Sequence, residues 1–158
     1  MGSLNNNLPV FSITPKNAQL VLSSPTAYLV ATLPANVAAN QVLKASASGS
    51  RVYGLNASTN ETTNTVNLYV YVSDGSNSYP IGFVAVPINS GNTVGNAAGG
   101  AAVVSVDLLS FINIPGLPVD NTGKPYIELG ANNYLCVAVS NSGLTSKVLV
   151  TAQYADYQ

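Results

Sequence analysis

The chain has 158 residues, of which 47% are hydrophobic and only 7% charged, with five Lys or Arg, six Asp or Glu, no His and a formal net charge of −1. That length is enough for one domain with a real core, while the charged fraction is far below the roughly 25% of an ordinary soluble domain. Lys16, Lys44, Arg51, Lys124 and Lys147 are scattered singly, which argues against nucleic acid and an anionic membrane surface as partners, and the absence of His excludes a Ser-His-Asp triad, a Cys-His pair and a histidine zinc site.

With 19 Asn, 17 Ser and 11 Thr, the surface is wetted by neutral amides and hydroxyls, and such a surface suits packing against other protein. In chain order, "MGSLNNNLPV" lacks the charged and apolar regions of a signal peptide. Residues 1–17 read as an arm: Leu4, Leu8, Val10, Phe11 and Ile13 follow no clear period, and they dock either on the chain's own domain or on a neighbour. From residue 18 to 158 the period is two, the mark of half-buried strands, in one β-sandwich domain. "AQLVLS" and "TAYLVATLP" are strand-like. "RVYGLNAS" sets Val52, Gly54 and Asn56 against Arg51, Tyr53 and Leu55, with Gly54 where a strand bends. "TVNLYVYVS" puts Val66, Leu68, Val70 and Val72 on one face and Asn67, Tyr69 and Tyr71 on the other. The turn "STNETTN", the Asp74-Gly75 hairpin signal and the run "YPIGFVAVP", stopped by Pro87, complete an expected three-stranded meander.

"SGNTVGNAAGG" is a loop by composition, and "VDLLSFIN" is the one helical candidate, a single turn capped by Asp107 with Leu108, Leu109 and Ile112 facing inward. "AAVVSVDLL", "PYIELG", "NYLCVAVS" and "SKVLVTAQYADY" supply further strands. The expected fold is therefore all-β, an antiparallel sandwich with at most one short helix.

No spacing matches a calcium loop or a phosphate-cradling glycine motif, so no metal or cofactor is expected. Of the acids, Glu61, Asp74, Asp107 and Asp120 lie at turns or a cap, where they serve local hydrogen bonds, and Glu128 and Asp156 lie in or near strands. Catalysis by such a pair, as a hydrolase or lyase would need, is disfavoured. Cys136 alternates with Leu135 and Val137 and reads as a small buried thiol; a chain that cannot form an internal disulfide fits a reducing cytoplasm. Tyr69, Tyr71 and Tyr79 cluster on the outer side of the expected meander, where they pack under a loop, form an oligomer interface or stack on sugar rings.

The run "SRVYGLNASTNETTNTVNLYVYVSDGSNSYPIGFVAVPINSG", followed by "VDLL", "IPGLPVDNTGKPYIELGANNYLCVAV" and "AQYADY", resembles the head decoration (auxiliary or cement) proteins of tailed bacteriophages. The shared features are an Arg-aliphatic strand opening, a "G-x-V-x-V-P" strand, a "DLL" segment, a "LP-x-D-x-x-G-K-P" loop and a "L-x-x-x-x-Y-L-x-V-A" strand, over about two-thirds of the chain. The resemblance implies a jelly-roll-like sandwich with no enzymatic role, made in the host cytoplasm and bound to the major capsid protein on the virion exterior, commonly as a homotrimer. The resemblance does not reach the arm; from the apolar arm and the tyrosine cluster, the expected protein-interface residues are Leu4, Leu8, Val10, Phe11, Ile13, Tyr69, Tyr71 and Tyr79. The alternative is a receptor- or glycan-binding module of a phage tail or fibre.

Overall fold

The period-two stretches pair into two antiparallel sheets. The structure, a computed structural model, describes residues 15–22, 40–63, 65–88, 90, 105–111, 117–139 and 147–157. In the first sheet β1 (Lys16–Leu22) pairs with β9 (Val148–Asp156), and β9 with β3 (Ser50–Thr59). The far side of β3 is shared by β6 (Val106–Asp107) at Asn56–Ala57 and β7 (Ile127–Leu129) at Ser50–Val52. The second sheet runs β2 (Gln41–Lys44), β8 (Tyr134–Val139), β4 (Val66–Ser73) and β5 (Ser78–Val86). Strands one, three, six, seven and nine in one sheet facing two, eight, four and five in the other is the strand order of a jelly roll, an all-β sandwich in which most connections pass between sheets.

Alternation supplies the core. Val52, Leu55, Val66, Leu68, Val70, Leu135, Val137, Val148 and Val150 are all fully buried between the sheets, each contributing about 1.5–3 kcal/mol by leaving water. Strict alternation would put Val52 and Leu55 on opposite faces. They share the core because the β3–β9 register slips between Val52 and Gly54, a bulge that turns Tyr53 outward. Gly54 follows the bulged residue, and its missing side chain leaves space into which Gln153 reaches, with Oε1 2.8 Å from where a Cβ would stand.

The expected meander is corrected. β4 and β5 do form a hairpin, closed by Asp74, whose Oδ1 accepts from the amides of Ser76 (2.8 Å) and Asn77 (2.7 Å). β3, however, lies in the other sheet, so "STNETTN" is a crossing between sheets rather than a turn within one. That crossing is pinned: the Thr59 amide donates to the Ser90 carbonyl (2.6 Å), its hydroxyl donates to the Lys147 carbonyl (3.1 Å) and accepts from the Glu61 amide (3.0 Å), and Glu61 is fully buried.

Helix α1 (Leu108–Phe111) is the single turn expected. Asp107 caps it, accepting from the Leu109 amide (3.0 Å), and Leu108 and Leu109 are buried; Ile112 lies outside the described residues. So do "TAYLVATLP", residues 91–100 of the glycine-rich loop and the arm residues Leu4, Leu8, Val10, Phe11 and Ile13. Lys16 and Asn17, read as part of the arm, belong to β1 and pair with Tyr154 and Gln153.

Gly49, at φ +93°, stands just before β3, where a Cβ would meet the Leu129 carbonyl at 2.7 Å; Gly123, at φ +83°, has open space around it. Both would strain an L-residue by about 1–2 kcal/mol, but only the first also forces backbone apart. Gly49→Ala is therefore expected to lower stability by clearly more than Gly123→Ala in urea melts, and equal losses would contradict the close approach.

Candidate functional site

Each sheet presents a distinct outer face. On the second, the expected outer-face tyrosine cluster separates into three environments, because the β4–β5 register shift sets Tyr79 opposite Val72, which packs against the main core, while Tyr69 and Tyr71 face outward. Tyr79 is 54% exposed and its hydroxyl donates to Oδ2 of Asp74 at 3.0 Å. Amide donation from Asn77 and Ser76 holds the Asp74 carboxyl down at about 2, so the hairpin tip keeps its charge through ordinary pH. Tyr69 is half-buried and lies against Phe83, ring centroids 5.1 Å apart, with Phe83 itself 42% exposed. Tyr71, expected beside them on the surface, is fully buried: it packs with Cys136 and Ala138, flanked by Tyr69 and Tyr134, in a second small cluster on the far side of the sheet from the main core. The β4–β8 register, Tyr71 opposite Cys136 and Tyr69 opposite Ala138, brings these side chains together. Period alone marked Tyr69 and Tyr71 as facing away from the core, not as covered.

The first sheet carries the polar groups. Arg51 donates to Oε1 of Glu128 through Nη2 (2.6 Å) and Nε (3.2 Å), and lies 3.9 Å over the ring of Tyr126. Tyr157 donates to the other oxygen of Glu128, and burial together with that bond pushes its hydroxyl up to about 12. One residue along β3, Ser50 Oγ donates to Asp156 Oδ1 (2.5 Å), and Lys16 Nζ to Oδ2 (2.5 Å). Successive residues of a strand face opposite ways, so Glu128, paired with Arg51, and Asp156, paired with Ser50, fall on opposite faces, each neutralised by its own cation. They do not form a carboxylate pair that shares one substrate. Among the described residues no group of three His, Cys, Asp or Glu is placed to hold a metal ion.

Between the strands and the 117–126 loop lie two adjoining hollows. One, of about 380 Å³, is lined by Arg51, Tyr53, Asp120, Thr122 and Tyr126; the other, of about 280 Å³, by Gly54, Asn56, Asp107, Leu109 and Ser110; Tyr53, Lys124, Pro125 and Gln153 border both. The loop is built on Asp120, whose Oδ1 accepts from the amides of Thr122 (2.8 Å) and Lys124 (2.9 Å) and from the Thr122 hydroxyl (2.7 Å). That hydroxyl, then the Lys124 amide, holds the carboxyl below its usual range. Sequence reasoning passed over Tyr53, Asn56 and Gln153; the signal that marks them is Gly54 inside a strand, the sign of a bulge that re-aims a neighbour.

Two outcomes follow from these environments. Burial alone would raise the Asp156 carboxyl, but hydrogen bonds from Lys16 and Ser50 outweigh it and hold the group below its ordinary value. A carboxyl lowered on folding stabilises above its unfolded pKa of about 3.9 and loses that contribution as pH falls through the folded value. Asp156→Asn should therefore cost about 1 kcal/mol at neutral pH, with the gap from the parent closing in urea melts as the pH is taken towards 2; a gap that persists in acid would contradict the ion pair. Burial also pushes the Cys136 thiol up to about 11, against a smaller opposing effect of the Tyr71 hydroxyl. Native protein at pH 8 should resist alkylation and react fully once unfolded, and rapid labelling of the folded chain would disprove that burial.

Compared with known proteins, the chain matches no family model, no curated protein and no solved structure.

Proposed function

We propose that this chain is a non-enzymatic virion structural protein that binds the outside of an assembled phage capsid and stabilises it, as a homotrimer made in the host cytoplasm. The observation that carries the reading is the surface of the jelly roll: a charge-poor chain whose second sheet ends in a nine-residue edge strand bearing exposed Tyr79 and Phe83, with Ile88 exposed just beyond it. Aromatic side chains of this kind anchor interfaces because they cover large area at low entropic cost. Open-ended strand pairing along this edge is disfavoured by Pro80, which has no amide hydrogen, and by the register shift beside Tyr71. Side-chain contact with a partner is left as the mode of attachment.

A protein of this kind needs no reaction. It stabilises a shell by binding assembled subunits in preference to free ones, and three copies acting together raise each weak contact by effective concentration. The neutral surface favours such contact, since few ionic groups must be desolvated. The single buried thiol suits synthesis in a reducing compartment.

The chain is expected to co-sediment with empty capsids of its parent phage and to raise their melting temperature, and to run as a trimer in light scattering. Tyr79→Ala combined with Phe83→Ala, both exposed and members of neither buried cluster, should leave the monomer's fold intact and weaken capsid binding at least about tenfold, some 1.4 kcal/mol. Failure of the parent chain to co-sediment would overturn the proposal.

A further inference from the structure

The two hollows on the outer face of the first sheet are unexplained by capsid attachment through the second. We propose that they form one groove for a neutral oligosaccharide of hexopyranose rings, with Tyr53 as the stacking platform and the side-chain amides of Gln153 and Asn56 as partners for the sugar hydroxyls. This inference does not rest on the capsid reading.

A pyranose ring has a face of C–H bonds and a rim of hydroxyls that both donate and accept. It is matched by an aromatic ring beside groups that also do both, which among neutral side chains means amides. The bulge in β3 provides this juxtaposition. It turns Tyr53 out to 42% exposure, and the missing side chain of Gly54 leaves room for Gln153, which pairs with Gly54 across the β3–β9 ladder. Asn56 follows on the same face, opposite Thr151.

The groups lining the groove divide into those already engaged and those open to a ligand. Arg51 is held by Glu128 and stacked on Tyr126, and Asp107 caps α1 while accepting from the Ser110 hydroxyl at 2.6 Å. Among the described residues the side chains of Tyr53, Asn56 and Gln153 make no hydrogen bond, and Oδ2 of Asp120 takes none while its Oδ1 takes three. Charge balances within the groove, Arg51 and Lys124 against Asp107 and Asp120, so neither a polyanion nor a cation is favoured. Each hollow is close to the size of a small-ligand site, about 300 Å³ and upward. Because Tyr53 and Gln153 border both, neighbouring rings of one chain can occupy the two at once.

The test titrates the full chain with glucose, galactose and mannose and with their α- and β-linked hexasaccharides, read by calorimetry and saturation-transfer NMR. At least one hexasaccharide should bind, about tenfold or more tighter than its monosaccharide. Tyr53→Ala and Gln153→Ala should each weaken it about tenfold without lowering the melting temperature, and Tyr79→Ala on the opposite sheet should leave it unchanged. Gln153→Ala removes only an exposed side chain, so it decides the matter should Tyr53→Ala disturb the strand. No binding by any member of the panel, a monosaccharide that binds as well as its oligomer, or binding indifferent to both groove variants would overturn the proposal. Capsid co-sedimentation is measured separately, so either reading can fail without the other.

Discussion

One extra residue in β3 governs much of the sandwich. β3 is the strand on which the first sheet is assembled, pairing with β9 along one side and with β6 and β7 along the other. Regular alternation through "RVYGL" would bury Val52 and expose Leu55, or the reverse, removing a large aliphatic side chain from the core. The slip between Val52 and Gly54 keeps both inside, and the residue it displaces, Tyr53, becomes the most exposed side chain of the strand. Core completion and the shape of the outer face thus have a single cause.

Scarcity of charge is the second constraint. With eleven ionisable Lys, Arg, Asp and Glu side chains in the chain, nearly all described acids are consumed locally. Asp74, Asp107 and Asp120 hold a hairpin, a cap and a loop, while Glu128 and Asp156 fasten β7 and β1 to the centre of the sheet through Arg51 and Lys16. The rest of the described surface is mostly uncharged, with exposed aromatic and aliphatic side chains such as Tyr53, Tyr79, Val21 and Val119 among it. Such a surface is weakly hydrated compared with a charged one, and that is the property on which both proposals, protein contact on one sheet and sugar contact on the other, draw.

Much of the architecture was legible in the period-two pattern: the strand content, the hairpin at Asp74-Gly75, the stop at Pro87 and the single turn after Asp107 all follow from local chemistry. What the pattern could not carry is which sheet a strand joins. The polar segment after Thr59 has the composition of a hairpin turn, yet it crosses between sheets, because pairing partners are chosen by contacts distant in sequence. Nor did it show β2, whose four residues, QVLK, are too few to display a period. Tyr71 illustrates the same limit: alternation correctly turns it away from the main core, but a sheet can be covered on its second face, and burial there depends on Cys136 and Ala138 from a strand more than sixty residues away. The groove residues were hidden for a related reason, since Tyr53 and Gln153 meet only through the β3–β9 ladder.

The bulge is tested most directly by single cysteines placed along β3 in a Cys136→Ala background. Tyr53→Cys, Val52→Cys and Leu55→Cys are each exposed to a small thiol reagent under native conditions and their labelling rates compared. The structure predicts that Tyr53→Cys labels quickly while Val52→Cys and Leu55→Cys are both protected to the level of global unfolding. If either of those two labels as fast as Tyr53→Cys, the strand alternates regularly, and the core and the outer face described here are both wrong.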